Sequence, residues 1–150
     1  DRIVDAVAAV AKYGAPCIVV DFGTATTFNA VNAAREYLGG VIAPGVMISA
    51  EALFSRTAKL PRVEIKEPEK VIARSTIGAI QSGLYYGYVG LVDRVLEKMM
   101  AEMNEEARVV ATGGMARPIA EASRFIEKVD ATLTLDGLRL VHERHKRSSA

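Results

Sequence analysis

Four apolar residues, Cys17-Ile18-Val19-Val20, lead straight into Asp21-Phe22-Gly23-Thr24-Ala25-Thr26-Thr27. No other stretch constrains the fold as much. The apolar run reads as a buried strand, so Asp21 stands at a strand end. Gly23 turns the backbone and lets the main chain approach a ligand closely. Exposed N–H groups in such a turn suit phosphate oxygens. Asp21 has the same sign as phosphate and makes sense if a cation sits between them. Beyond the turn, Thr26, Phe28 and Ala30 alternate with Thr27, Asn29 and Val31, which is strand periodicity. A Walker P-loop needs Gly-x-x-x-x-Gly-Lys-Ser/Thr running into a helix, and the chain has no match to it. A phosphate here would be held in a β-hairpin. Asp-x-Gly-Thr is also ordinary turn chemistry, so the turn alone leaves both readings open.

The rest of the chain reads as mixed α/β. Residues 1–13 place Ile3, Val4, Val7, Val10 and Ala11 on one helical face, closed by Gly14 and Pro16. Short strands follow at 17–21, 26–32 and about 37–42. Their short connections predict an antiparallel meander. A helix is expected at about 45–55, a surface loop with Pro61 and Pro68 over 57–70, and a long helix over about 75–103. Strand 108–112, Gly113-Gly114, a short helix, a strand near 132–135 and a basic closing helix complete the pattern. In the long helix, Ala79, Gly83, Gly87 and Gly90 lie close to one face. Mid-helix glycine costs about 1 kcal/mol against alanine, so close approach of another helix is expected there, from this domain or a second subunit. Tyr85, Tyr86 and Tyr88 read as core or interface residues, and Met99, Met100 and Met103 as helix packing.

Composition narrows the classes further. The chain has 150 residues, half of them hydrophobic, and a net charge of +1. That is one globular domain with no broad basic footprint for nucleic acid or an anionic membrane. A single cysteine, Cys17, excludes an internal disulfide and reads as a buried thiol. No apolar run is long enough to span a membrane and no signal peptide is evident, so the expected location is the cytoplasm. His142 and His145 sit on the basic closing helix without a carboxylate or cysteine partner beyond Glu143. They read as solvated surface rather than metal ligands.

Asp21-Phe22-Gly23-Thr24-Ala25-Thr26-Thr27-Phe28-Asn29 resembles the second phosphate motif of the type III pantothenate kinases, bacterial enzymes that begin coenzyme A synthesis. Further segments resemble that family in the same order: Gly39-Gly40-Val41-Ile42-Ala43-Pro44-Gly45, Thr57-Ala58-Lys59-Leu60-Pro61, Ser75-Thr76-Ile77-Gly78-Ala79-Ile80-Gln81-Ser82-Gly83 and Ala111-Thr112-Gly113-Gly114. Asp1-Arg2 matches the last two letters of the family's Gly-x-Asp-Arg motif. Nothing matches its first phosphate motif, Asp-x-Gly-Asn-Thr. The resemblance implies an RNase H-like α/β fold of the actin, hexokinase and Hsp70 superfamily, with a mixed sheet flanked by helices. Residues 1–150 would be the carboxy-terminal domain of a two-domain kinase, without the amino-terminal ATP-binding domain.

The implied reaction is ATP-dependent phosphorylation of pantothenate to 4′-phosphopantothenate, with little activity expected of this stretch alone. A non-catalytic regulatory or binding relative, or a superfamily kinase or phosphatase with another substrate, are the alternatives. By the same resemblance Asp1 is the catalytic base, Arg2 pairs with pantothenate and Thr76 contacts it. Asp21 ligates a monovalent cation, potassium or ammonium. Gly23, Thr24, Gly113 and Gly114 contact ATP, which brings Mg2+ with it. A homodimer through helix 75–103 is implied, and neither nucleic acid nor a membrane is an expected partner. Asp1, Ser75 and Thr76 are also favoured helix caps, and capping and catalysis are compatible.

Overall fold

The computed structural model describes residues 2–57 and 60–149. Five strands form one mixed sheet: β1 (Cys17–Phe22), β2 (Ala25–Val31), β3 (Tyr37–Pro44), β4 (Arg108–Thr112) and β5 (Lys128–Val129). Their order is β3-β2-β1-β4-β5. The first three strands form the expected antiparallel meander, and β4 and β5 join it in parallel. β1 is therefore a central strand, which explains its near-continuous apolar run.

Helices cover both faces. On one, α3 (Thr76–Met103) and α4 (Ala116–Ala122) pack on Ile18, Val20, Phe22 and Phe28 through Leu84, Tyr88, Val92, Leu96 and Ile119. Met99, Met100 and Met103 pack against this core as expected. On the other, α1 (Arg2–Tyr13) and α5 (Leu133–Ser149) cover Cys17, Val19 and Val110 with Ala8, Ala9 and Leu133. Burial pushes the Cys17 thiol up to about 11, so it is an inert core residue at neutral pH. The remaining helix, α2 (Val46–Arg56), buries only Val46.

Helix ends follow local chemistry. Gly14 has φ +88 and donates its N–H to Val10 O at 2.9 Å, ending α1. Ser75 caps α3, its Oγ accepting the Gly78 N–H at 3.1 Å, and Asn104 closes it with φ 53. His142 and His145 are exposed on α5.

Two expectations fail. The face of α1 carrying Ile3, Val4, Val7, Val10 and Ala11 is not the buried one. Asp5, Ala6, Ala8 and Ala9 are buried, and Ile3 is 62 % exposed. Ala8 and Ala9 lie against Cys17, Val19 and Val110 of the sheet and Leu133 of α5, where small residues let α1 sit close. Val4 meets α5 through its backbone: a Cβ on Gly137 would fall 2.3 Å from Val4 O. The strand near 132–135 is instead the first turns of α5, and the strand lies at Lys128–Val129. Asp130 overrides the β-like alternation of Thr132-Leu133-Thr134-Leu135 by accepting from the Thr132 N–H and hydroxyl at 3.1 and 3.2 Å. On the small face of α3, of the two partners expected, the one from this domain is absent among the described residues. A Cβ at Gly83, Gly87 or Gly90 would meet nothing within 4 Å among the described residues.

Asp130 also ties α1 to α5. Lys12 Nζ donates to Asp130 at 2.8 Å and to Asp136 at 2.9 Å, and Tyr13 OH donates to Asp130 at 2.6 Å. Burial pushes the Asp130 carboxyl up, but the Lys12, Tyr13 and Thr132 hydrogen bonds win and hold it at about 2. A depressed carboxylate contributes its stability above the unfolded-state value near 4 and loses it as pH falls through about 2. Asp130→Asn is expected to cost roughly 2 kcal/mol at pH 7 and little at pH 2. Urea unfolding at the two pH values checks this.

Candidate functional site

The tip of the β1–β2 hairpin is three residues long. Phe22 pairs with Thr26, leaving Gly23, Thr24 and Ala25 to turn the chain. Gly23 and Thr24 are exposed. A Cβ at Gly23 would sit 3.6 Å from Ala25 O and Asp21 Oδ1, an ordinary contact, so packing does not demand glycine there. Two neighbouring glycines differ. A Cβ at Gly45 would land 2.0 Å from Thr24 O, so the start of α2 presses directly on the tip. Gly113 has φ +100, and a Cβ there would lie 2.6 Å from Phe22 O, where the end of β4 passes the end of β1. Gly114 is exposed, with nothing within 4 Å of its would-be Cβ. Three backbone segments thus meet without side chains between them. α2 begins there with Gly45 as an N-cap that has no side-chain hydrogen bond, which leaves first-turn N–H groups without a capping side chain. Backbone donors so arranged suit phosphate oxygens.

Below the tip stands a pair of carboxylates. Asp5, on the buried face of α1, is 2 % exposed and accepts a hydrogen bond from Thr134 Oγ1 at 2.7 Å. Asp21, at the end of β1, faces it. Burial, then hydrogen bonding to Asp5 and its like charge, push the Asp21 carboxyl up to about 6. The repulsion is relieved by a proton on Asp21 below about pH 6 and by a cation above it, and the donor set, hard carboxylate oxygens, suits an alkali cation or ammonium. Asp5 was missed in the sequence. The available signal was a carboxylate among Ala6, Ala8 and Ala9, on the side opposite the bulky stripe. Among the described residues no group of three or more His, Cys, Asp or Glu gathers to hold a metal.

The other expected residues are placed as follows. Arg2 opens α1, exposed, one turn before Asp5. Asp1, the expected base, lies outside the described residues, as do Ala58 and Lys59 of the Thr57–Pro61 motif. Thr76 is the exposed first residue of α3. Its neighbours Ser75 and Ile77, not Thr76 itself, line an open cleft of about 750 Å³ with Lys66, Glu67, Lys70 and Arg74 among others. About 18 Å of helix rise separates Thr76 from Tyr88, the α3 residue that reaches the hairpin. The structure thus gathers Asp21, Gly23, Thr24 and Gly113 with Asp5 and Gly45, and leaves Thr76 apart from them.

A mixed five-stranded sheet with helices on both faces and a glycine-flanked hairpin at the end of β1 gives the chain the α/β fold seen in actin, hexokinase and Hsp70. Solved structures share the fold. A putative Baf family transcriptional activator from Campylobacter jejuni matches with TM-score 0.65 and 20% identity, over 96% of this chain and 65% of that one. The activator of the 2-hydroxyisocaproyl-CoA dehydratase from Clostridium difficile, with bound ADPNP, matches with TM-score 0.57 and 10% identity, over 98% and 68%. The family model for type III pantothenate kinase matches residues 1–98, and the chain belongs to that family. The Koribacter versatilis type III pantothenate kinase is 60% identical over 146 residues, 97% of this chain and 53% of that protein. The chain spans about half the length of the curated relatives it matches.

Proposed function

We propose that the full-length protein transfers the γ-phosphate of ATP to the primary hydroxyl of pantothenate, and that this chain is the carboxy-terminal domain of that two-domain kinase. The observation that carries the reading is the backbone cradle of Gly23-Thr24, Gly45 and Gly113 directly above the Asp5–Asp21 pair, in a member of this family. In this reading the pantothenate hydroxyl oxygen bonds to the γ-phosphorus, the bond from that phosphorus to the β,γ-bridging oxygen breaks, and ADP leaves. Asp1 accepts the hydroxyl proton as the new bond forms. Arg2 pairs with the pantothenate carboxylate, where a guanidinium fork gives direction. Thr76 is a further substrate contact. The N–H groups of the Gly23–Thr24 tip and the open backbone at Gly113-Gly114 hold the nucleotide.

A potassium or ammonium ion, when bound, offsets the repulsion between Asp21 and the phosphates, and Mg2+ arrives with ATP. The exposed small face of α3 at Ala79, Gly83, Gly87 and Gly90 supports a homodimer through that helix, close to Thr76. No helix among the described residues is long and apolar enough to cross a membrane, and ATP-dependent chemistry suits the cytoplasm. ADP release with and without pantothenate tests the activity. Release that ignores pantothenate but follows another alcohol would move the reading to a different kinase of the superfamily.

The cation has its own test. Because the Asp21 carboxyl is raised, its protonated form stabilises the fold. That contribution is complete below about pH 4 and is lost as pH rises through about 6. Potassium is therefore expected to raise the melting temperature by a few degrees at pH 8 and not at pH 5. Asp21→Asn should remove the response and melt higher than the parent at pH 8 without potassium. Equal potassium shifts at both pH values would count against Asp21 as the ligand.

A further inference from the structure

Tyr88 is an aromatic residue of the core whose hydroxyl has a specific job. It is 5 % exposed, and its OH donates to Pro44 O at 2.7 Å. Thr26 Oγ1, on a residue 1 % exposed, lies 2.5 Å from the same oxygen. A phenol has one proton. With that proton given to Pro44, the Thr26 hydroxyl must donate to Tyr88, and the direction of the whole chain is set: Thr26 to Tyr88 to Pro44. Burial pushes the Tyr88 phenol up while the Thr26 bond acts the other way, as expected of a neutral phenol that accepts from Thr26.

The two partners flank the cradle from either side. Thr26 is the first residue of β2 paired to β1 after the tip, and Pro44 precedes Gly45, whose backbone abuts Thr24 O. Tyr88 thereby clamps both edges of the hairpin–α2 junction to the middle of α3. We infer that Tyr88 is a positioning residue for nucleotide phosphates: it holds the Gly23–Thr24 tip and the Pro44–Gly45 turn at the separation phosphate binding requires, touching no phosphate itself. The inference rests on the reading of that cradle as the phosphate site, and its test separates the two.

The test combines amide hydrogen exchange with NMR titration of Mg·ATP into the full-length protein. Tyr88→Phe keeps the ring and deletes the hydroxyl. Exchange at residues 24–27 and at 43, 45 and 46 is expected to accelerate about tenfold, with β4 and α5 unchanged as internal reference. The Mg·ATP dissociation constant should rise about tenfold. Thr26→Val should act in the same direction without adding to Tyr88→Phe, because both break one chain. Thr26→Ser, which restores the donor, should return both readouts towards the parent. Unchanged exchange and affinity in Tyr88→Phe, or faster exchange throughout β4 and α5 as well, would overturn the inference, leaving Tyr88 a packing residue. If the full-length parent shows no response to Mg·ATP, the phosphate-site reading fails and the positioning role fails with it, while faster exchange confined to the two segments would still mark Tyr88 as a structural clamp.

Discussion

Gly45→Ala is expected to break the junction between the hairpin tip and α2, costing about 3 kcal/mol and abolishing Mg·ATP binding. The Cβ it adds would stand 2.0 Å from Thr24 O and 2.9 Å from Thr24 C, both backbone atoms. No rotamer change relieves such a contact, so either α2 or the tip must move. Moving the tip also disturbs the strand pairs Ala25–Pro44 and Thr26–Ala43, and with them the Tyr88 hydrogen bonds. Gly114→Ala is the control for stability alone. Its Cβ meets nothing within 4 Å among the described residues, so its stability should stay within about 0.5 kcal/mol of the parent. Denaturant unfolding of both variants, and Mg·ATP titration of Gly45→Ala in the full-length protein, measure the two effects. Equal stability of Gly45→Ala and the parent would mean the close approach at Thr24 is not built into the fold.

Asp1→Asn in the full-length protein is expected to lower kcat by about 10²–10⁴-fold while pantothenate still binds. Asparagine can accept a hydrogen bond from the substrate hydroxyl but cannot take its proton, so binding survives and transfer does not. A purely capping role for Asp1 predicts the opposite split: about 1 kcal/mol less stability and an unchanged kcat. Steady-state kinetics and thermal unfolding of this one variant decide between them.

The central sheet could be read from the chain because its signals are local. The run Cys17–Val20, the alternation through Val31 and the turn residues between them specify strands and an antiparallel meander with few alternatives. Family motifs then pointed to the Gly23–Thr24 turn as the proposed phosphate site. What escaped depends on packing between elements distant in sequence. The buried face of α1 is set by the strands and α5 residue that pack on Ala8 and Ala9, so hydrophobic periodicity favoured the wrong stripe. The Leu133–Leu135 alternation resembled a strand until Asp130 supplied a cap. Asp5 gains its meaning only from the fold that sets it against Asp21. Tyr88 looked like any core aromatic until its hydroxyl met Thr26 and Pro44. Elements set by local sequence, such as the β1–β2 hairpin, were legible. Residues whose role is relational were not.

The measurement that bears most directly on this account is ³¹P NMR of the product formed by the full-length protein from ATP and pantothenate, run with and without potassium. The account predicts a phosphomonoester on the pantothenate primary hydroxyl, appearing in step with ADP and dependent on potassium. ADP accompanied only by inorganic phosphate, or ATP left intact under every cation tried, would contradict it.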